Sequence, residues 1–233
     1  MEIISPPLDM ELVGWEPLSG PRSIKAGQNE AIGGYVQGFS SPFGSWRIRL
    51  LYAPQEGQEA RQFRGWVADL MGGANITRLP FLDPDRMTFE ECGMFNVAPQ
   101  TWSNGQPWSN GLSWGPSRPP VRVAATASRQ GTVIELEEEF WGHRLGWGSF
   151  VGFFPFYFGM HQVRRVIAPG KYLLWPWLHK DIEAGDYCTL DPVMAMTIES
   201  EESVTLYRGG THMEGTAIIL RQVEDYVVRE NVT

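Results

Sequence analysis

Residues 46–52 read Trp-Arg-Ile-Arg-Leu-Leu-Tyr, so Trp46, Ile48, Leu50 and Tyr52 share one face, with Arg47 and Arg49 on the other. That period of two predicts a half-buried strand, ended by Pro54 and Gly57. The spacing then changes. Phe63, Trp66, Val67, Leu70 and Met71 fall at i, i+3, i+4, i+7 and i+8, the apolar stripe of an amphipathic helix predicted over about 58–71. Gly72 and Gly73 directly after it supply a C-terminal stop. Gly65 inside the stripe weakens the helix by about 1 kcal/mol relative to Ala. Residues 76–82 return to a strand pattern and close on Asp83-Pro84-Asp85, whose composition is that of a turn.

From residue 121 onward short apolar runs recur between Gly, Pro and acidic turns. They lie at 121–126, 132–136, 163–167, 172–175, 187–190, 194–198, 204–207 and 216–223. Regular short strands with turn signals predict a mainly β chain of sandwich- or barrel-like domains carrying one helix. The run from Phe150 to Phe158 is apolar without a period and is not placed by pattern alone. The acidic stretches at 135–139 and 199–202 read as solvated strand ends.

Between these halves the chain changes character. Trp102-Ser-Asn-Gly and Trp108-Ser-Asn-Gly repeat with a period of six, and Trp114 follows at the same interval. Asn-Gly is a strong turn signal because both residues tolerate positive φ. A stretch this long with so many tryptophans is expected to pack against something. The pattern therefore divides the chain into an N-terminal β domain with one helix (1–90), an extended Trp/Asn/Gly-rich loop (91–120) and a C-terminal β-rich domain (121–233).

Composition narrows the function. The chain has 233 residues, 42% hydrophobic and 20% charged, which excludes a disordered chain. No apolar run is long enough to span a membrane as a helix. The start of the chain, with Pro6, Pro7, Glu2, Asp9 and Glu11, lacks a signal-peptide pattern, so export is not expected. The formal charge of −8 argues against nonspecific nucleic-acid binding. Only Lys25, Lys171 and Lys180 are lysines among 19 basic residues, and there are ten tryptophans. Arg and Trp are favoured in buried protein–protein contacts.

Motifs for chemistry are missing. The sequence contains no HExxH, P-loop or helix-opening GxGxxG pattern. His143, His161, His179 and His212 show no metal-ligand spacing, and Cys92 and Cys188 form no CxxC pair. Two buried free thiols are expected, with no catalytic residue, cofactor or metal. The candidate contact residues are Trp102, Asn104, Trp108, Asn110, Trp114 and Arg118. An alternative use of Trp102, Trp108 and Trp114 is an aromatic platform for sugar rings in a carbohydrate-binding adhesion module.

The order of these pieces resembles a family of tail-tip structural proteins of long-tailed bacteriophages, akin to distal tail proteins. Its helix ending in Leu-x-Gly resembles Phe63-Arg-Gly-Trp66-Val-Ala-Asp-Leu70-Met-Gly-Gly73, and its strand ending near Asp-Pro resembles Arg78-Leu-Pro-Phe-Leu-Asp-Pro84. Its SDG-x-P-F-SDG repeat resembles residues 103–111, with Asn104 and Asn110 in place of Asp. A later W-P-x-L-R piece resembles Trp175-Pro-Trp-Leu-His179, with His179 in place of Arg. Gly185-Asp186, Asp191-Pro192-Val-Met194-Ala-Met196 and the closing strand Ile218-Ile-Leu-Arg-Gln-Val-Glu224 follow in the family's order. The resemblance spans about residues 45–225. It implies a non-catalytic ring component of the tail tip, made in the host cytoplasm and incorporated in the virion. Its partners would be copies of itself, a hexamer favoured and a trimer the alternative near the hub, together with the tail tube, hub and tape measure proteins. DNA would be met only in passage through the lumen, where a negative wall lets it slide.

Overall fold

A computed structural model describes residues 2–7, 11–18, 23–24, 39–40, 44–80, 85–94, 118–155, 157–199, 204–209, 212–224 and 227–228. In chain order its elements are β1 (Ile3–Ile4), β2 (Leu12–Pro17), β3 (Ser23–Ile24), β4 (Phe39–Ser40), β5 (Arg47–Tyr52), α1 (Gly57–Asp69), a 3₁₀ turn (Met71–Gly73) and β6 (Ile76–Pro80). There follow β7 (Val121–Ala125), β8 (Val133–Leu136), β9 (Phe150–Phe154), β10 (His161–Ala168), β11 (Lys171–Trp175), β12 (Tyr187–Thr189), β13 (Val193–Ile198), β14 (Val204–Gly209) and β15 (His212–Gln222). The chain is mainly β, and the helix falls where its periodicity places it.

Alternation along β5 works as expected: Ile48, Leu50 and Tyr52 are buried, whereas Arg47 and Arg49 are half-buried and Leu51 is exposed. The buried face is covered by α1, whose Phe63 and Trp66, with Leu70 just beyond, lie against it. Phe63 and Trp66 meet Tyr52 edge-on at 5.3 and 6.4 Å between ring centroids, a geometry favoured by the ring quadrupoles. The Trp66 indole N–H donates to Thr77 Oγ1 at 3.3 Å, so its polar edge is satisfied inside the core. Truncating the fully buried Phe63 to Ala would cost about 3–5 kcal/mol.

The helix ends two residues earlier than its stripe suggests, at Asp69 with Leu70 as its cap. Met71 adopts φ 46, Gly72 φ 63 and Gly73 φ 103, so the left-handed turn begins at Met71. The Met71 side chain leaves the apolar face and is 67% exposed. Asn75 then caps the end, its side-chain N–H donating to Asp69 O at 2.9 Å.

Strand pairing departs from the expected division at 1–90 and 121–233. The larger sheet has the order β1-β6-β13-β15-β5-β2, with β14 also paired to β15. β5 and β6 flank a gap of two strands, and that gap is filled by β13 and β15 from the C-terminal end. Residues 193–222 therefore belong to the sheet that the N-terminal segment begins. The physical reason is that β5 and β6 each find one partner in the N-terminal segment, β2 and β1, while their inner edges pair only with the later strands β15 and β13. What remains of the expected C-terminal domain is a closed antiparallel barrel, β10-β11-β8-β7-β12-β9, inserted between β6 and β13. Closure leaves the barrel no strand edge. Its core holds Val121, Val123, Ile134, Leu136, Trp141, Val151, Phe153, Val163, Tyr172 and Leu174.

Barrel and sheet meet through aromatic packing. Trp46 at the start of β5 contacts Trp175 of β11 at 4.7 Å and Phe150 of β9 at 5.6 Å. Its indole N–H donates to Met160 O at 2.7 Å. The backbone approaches equally closely: a Cβ on Gly44 would lie 2.5 Å from the Trp175 ring, so Gly is required there. The unplaced apolar run from Phe150 serves both sides, since Phe153 faces the barrel core while Phe150 packs toward the sheet.

Candidate functional site

Trp102, Asn104, Trp108, Asn110 and Trp114 lie outside the described residues. The chain on either side of 95–117 is described, and it is tied together. On the leading side, Thr88 and Glu91 form a reciprocal cap: Thr88 N–H donates to Glu91 Oε2 at 2.7 Å, and Glu91 N–H donates to Thr88 Oγ1 at 3.2 Å. These bonds, the backbone one first, hold the Glu91 carboxyl below the usual carboxylate range. Cys92 follows, fully buried in the barrel core, with its thiol pushed up by that burial. On the trailing side, Pro119 O accepts from the indole N–H of buried Trp141 at 2.6 Å.

Arg118 joins the two sides. Its Nε–H donates to Met87 O at 2.6 Å, and its guanidinium lies 4.8 Å from the Phe89 ring centroid. Its Nη1 is 3.6 Å from Asp191 Oδ1, an oxygen that also accepts from Arg86 Nη1 at 2.7 Å. Only 10% of the Arg118 side chain is exposed. Arg118, a candidate contact residue, is engaged with its own chain on both sides of 95–117. Asp191 sits just before β13, so this group lies where the chain crosses from barrel to sheet.

Beside this group lies a cleft of about 340 Å³ lined by Asp85, Arg86, Met87, Trp147, Ser149 and Phe150, among others. Trp147 is 76% exposed, whereas Trp46, Trp66, Trp141 and Trp175 are all buried. The sequence does mark a turn there, since Trp147 stands between Gly146 and Gly148, but not the exposure of the ring. Phe140 is also displayed, at φ 47 and 53% exposed.

The densest group of titratable side chains is buried. His161 Nδ1 lies 2.8 Å from Pro176 O, which can only accept, so Nδ1 carries the proton and Nε2 accepts from Tyr157 O–H at 2.5 Å. The Tyr157 oxygen in turn accepts from the His179 backbone N–H at 3.1 Å. Burial, and then the neighbouring His179, push His161 down to about 3. Tyr157, His161 and His179 are each 5% exposed or less, so the network braces the barrel interior. Cys188 is also a fully buried free thiol with its pKa raised by desolvation, which leaves it inert. Among the described residues no cluster of three or more His, Cys, Asp or Glu is arranged to hold a metal ion.

From the acidic stretches, Glu135 pairs with Lys171 and Glu199 with Arg47 at the surface. No described helix is long and apolar enough to cross a membrane. Comparison with protein-family models gives no match, and no curated protein is significantly similar in sequence.

Proposed function

We propose that the chain is a non-catalytic structural subunit of a bacteriophage tail tip, forming a ring around the tail lumen in the virion. The observation that carries this reading is the convergence of the separated pieces of sequence behind the family resemblance. Arg78, Leu79 and Pro80 pair with Ala195, Met194 and Val193, although more than a hundred residues separate them. Leu220 and Arg221 of the closing strand pair with Ile198 and Thr197, next to the strand that begins at Val193. Trp175 packs on Trp46, where the resemblance begins. Pieces that match in order and also build one sheet and its junction with the barrel are more than scattered short matches.

The anchoring at Arg118 suits the same role. A contact loop that leaves from a rigid root loses less conformational freedom when it docks on a neighbour. On this reading the Trp-Ser-Asn-Gly stretch reaches an adjacent copy, with a hexamer favoured and a trimer the alternative. The tail tube, hub and tape measure proteins contact other faces.

Light scattering with negative-stain imaging of one purified sample tests the proposal. A closed ring with a central hole is the expected result. Trp108→Ala is expected to abolish ring formation while leaving the far-UV circular dichroism unchanged. A chain that stays monomeric at every concentration counts against the ring, and a Trp108→Ala variant that assembles normally removes the loop from its interface.

A further inference from the structure

We propose that the cleft lined by Trp147, Asp85 and Arg86 binds a neutral oligosaccharide. The inference does not rest on the ring reading, and its residues are not those of the Trp-Ser-Asn-Gly stretch. Trp147 is 76% exposed at the mouth of a cleft, so its indole face is open to a ligand. The turn that presents it is held firmly. Gly148 N–H donates to Val163 O at 2.9 Å, and Val163 N–H donates back to Ser149 O at 2.8 Å. Arg86 is equally fixed, because it is anchored to Asp191 at 2.7 Å and Asp191 is also paired with Arg118. The cleft is thus formed before any ligand arrives, and its 340 Å³ lies at the small end of the range of about 300–1,000 Å³ for small-molecule sites.

The chemistry of the lining selects the ligand. A flat aromatic face accommodates the C–H face of a pyranose ring. A carboxylate beside a guanidinium offers an acceptor and several donors to adjacent hydroxyl groups. The lining carries both a carboxylate and a guanidinium, so it favours neither an anion nor a cation. A neutral polyhydroxylated ligand satisfies both, and Ser149 adds one more polar group.

The full chain should be titrated calorimetrically with maltotriose, triacetylchitotriose and a β-linked galactotriose, each to millimolar concentration. At least one is expected to bind. Trp147→Ala should weaken that binding about tenfold or more, as loss of an aromatic anchor does. Since the ring is exposed, the variant should keep its circular dichroism and its mass by light scattering. Asp85→Asn should weaken the same sugar, and Phe140→Ala, at an exposed aromatic outside the cleft lining, should not. Failure of all three sugars to bind overturns the proposal, as does equal affinity in the Trp147→Ala variant. A Trp147→Ala variant that loses self-association without losing sugar binding would make Trp147 a contact between copies, which also overturns it.

Discussion

Two single residues show how this protein handles unfavourable local chemistry. His161 is held neutral by burial, with a folded-state pKa near 3 against an ordinary value of 6.5. In the unfolded chain it takes up a proton as pH falls below about 6.5, whereas in the folded chain it does not until about 3. Its contribution to stability is therefore complete above pH 6.5 and is lost as pH falls through that window, at about 1.4 kcal/mol per pH unit. Urea midpoints between pH 7 and pH 4 should fall steeply for the parent protein. His161→Asn should be less stable at pH 7, having lost its bond to Tyr157 or Pro176, but should show a slope shallower by about one proton. Equal slopes would mean that another group governs the acid limb. Met71 presents the opposite case, an exposed side chain at a left-handed φ that only Gly adopts without strain. Met71→Gly is expected to raise stability by about 1 kcal/mol in thermal or urea unfolding, and a loss would show that the exposed side chain packs usefully after all.

At the scale of elements, periodicity carried most of the information because most strands are buried on one face only. The alternation of 46–52 and the stripe from Phe63 to Leu70 appear in the structure nearly as written. Where both faces are covered, the pattern vanishes: β9 lies between the barrel core and the sheet, so its run of Phe and Val has no period to read. Irregular backbone hides information too. Bulges in β10 after Val163 and after Val166 turn Arg164, Arg165 and Ile167 all outward, which strict alternation would forbid. The candidate site was least legible, since an isolated Trp such as Trp147 reads the same whether buried or exposed. Gly65 gives a clean test of the helix. It is exposed in mid-helix, with no atom within 4 Å of an added Cβ. Gly65→Ala should therefore stabilise the protein by about 0.5–1 kcal/mol in urea unfolding. A neutral or destabilising result would mean that this face of α1 touches something that the added methyl disturbs.

For the whole molecule, the decisive fact is that the larger sheet is sewn from both ends of the sequence. β13 and β15 stand between β5 and β6, so neither a fragment of residues 1–120 nor one of residues 121–233 contains a complete sheet. Sequence pattern could not reveal this, because the strands at 193–198 and 212–222 look no different from those of the barrel that precedes them. The first fragment would leave the apolar face of α1, with Phe63 and Trp66, opposite the separate pairs β2-β5 and β1-β6, whose inner edges lack hydrogen-bond partners. The second would keep the closed barrel but expose Met194, Met196, Ile218 and Leu220, which normally lie beneath the helix. Expressed separately, the 1–120 fragment should show no near-UV circular dichroism signal from ordered tryptophans. The 121–233 fragment should retain the barrel signal and aggregate through its bare strands. Mixed before aggregation, the two should recover much of the signal of Trp46 packed on Trp175, because that contact joins one fragment to the other. Fragments that fold independently and ignore one another would show that the two halves are separate domains and that the shared sheet does not govern stability.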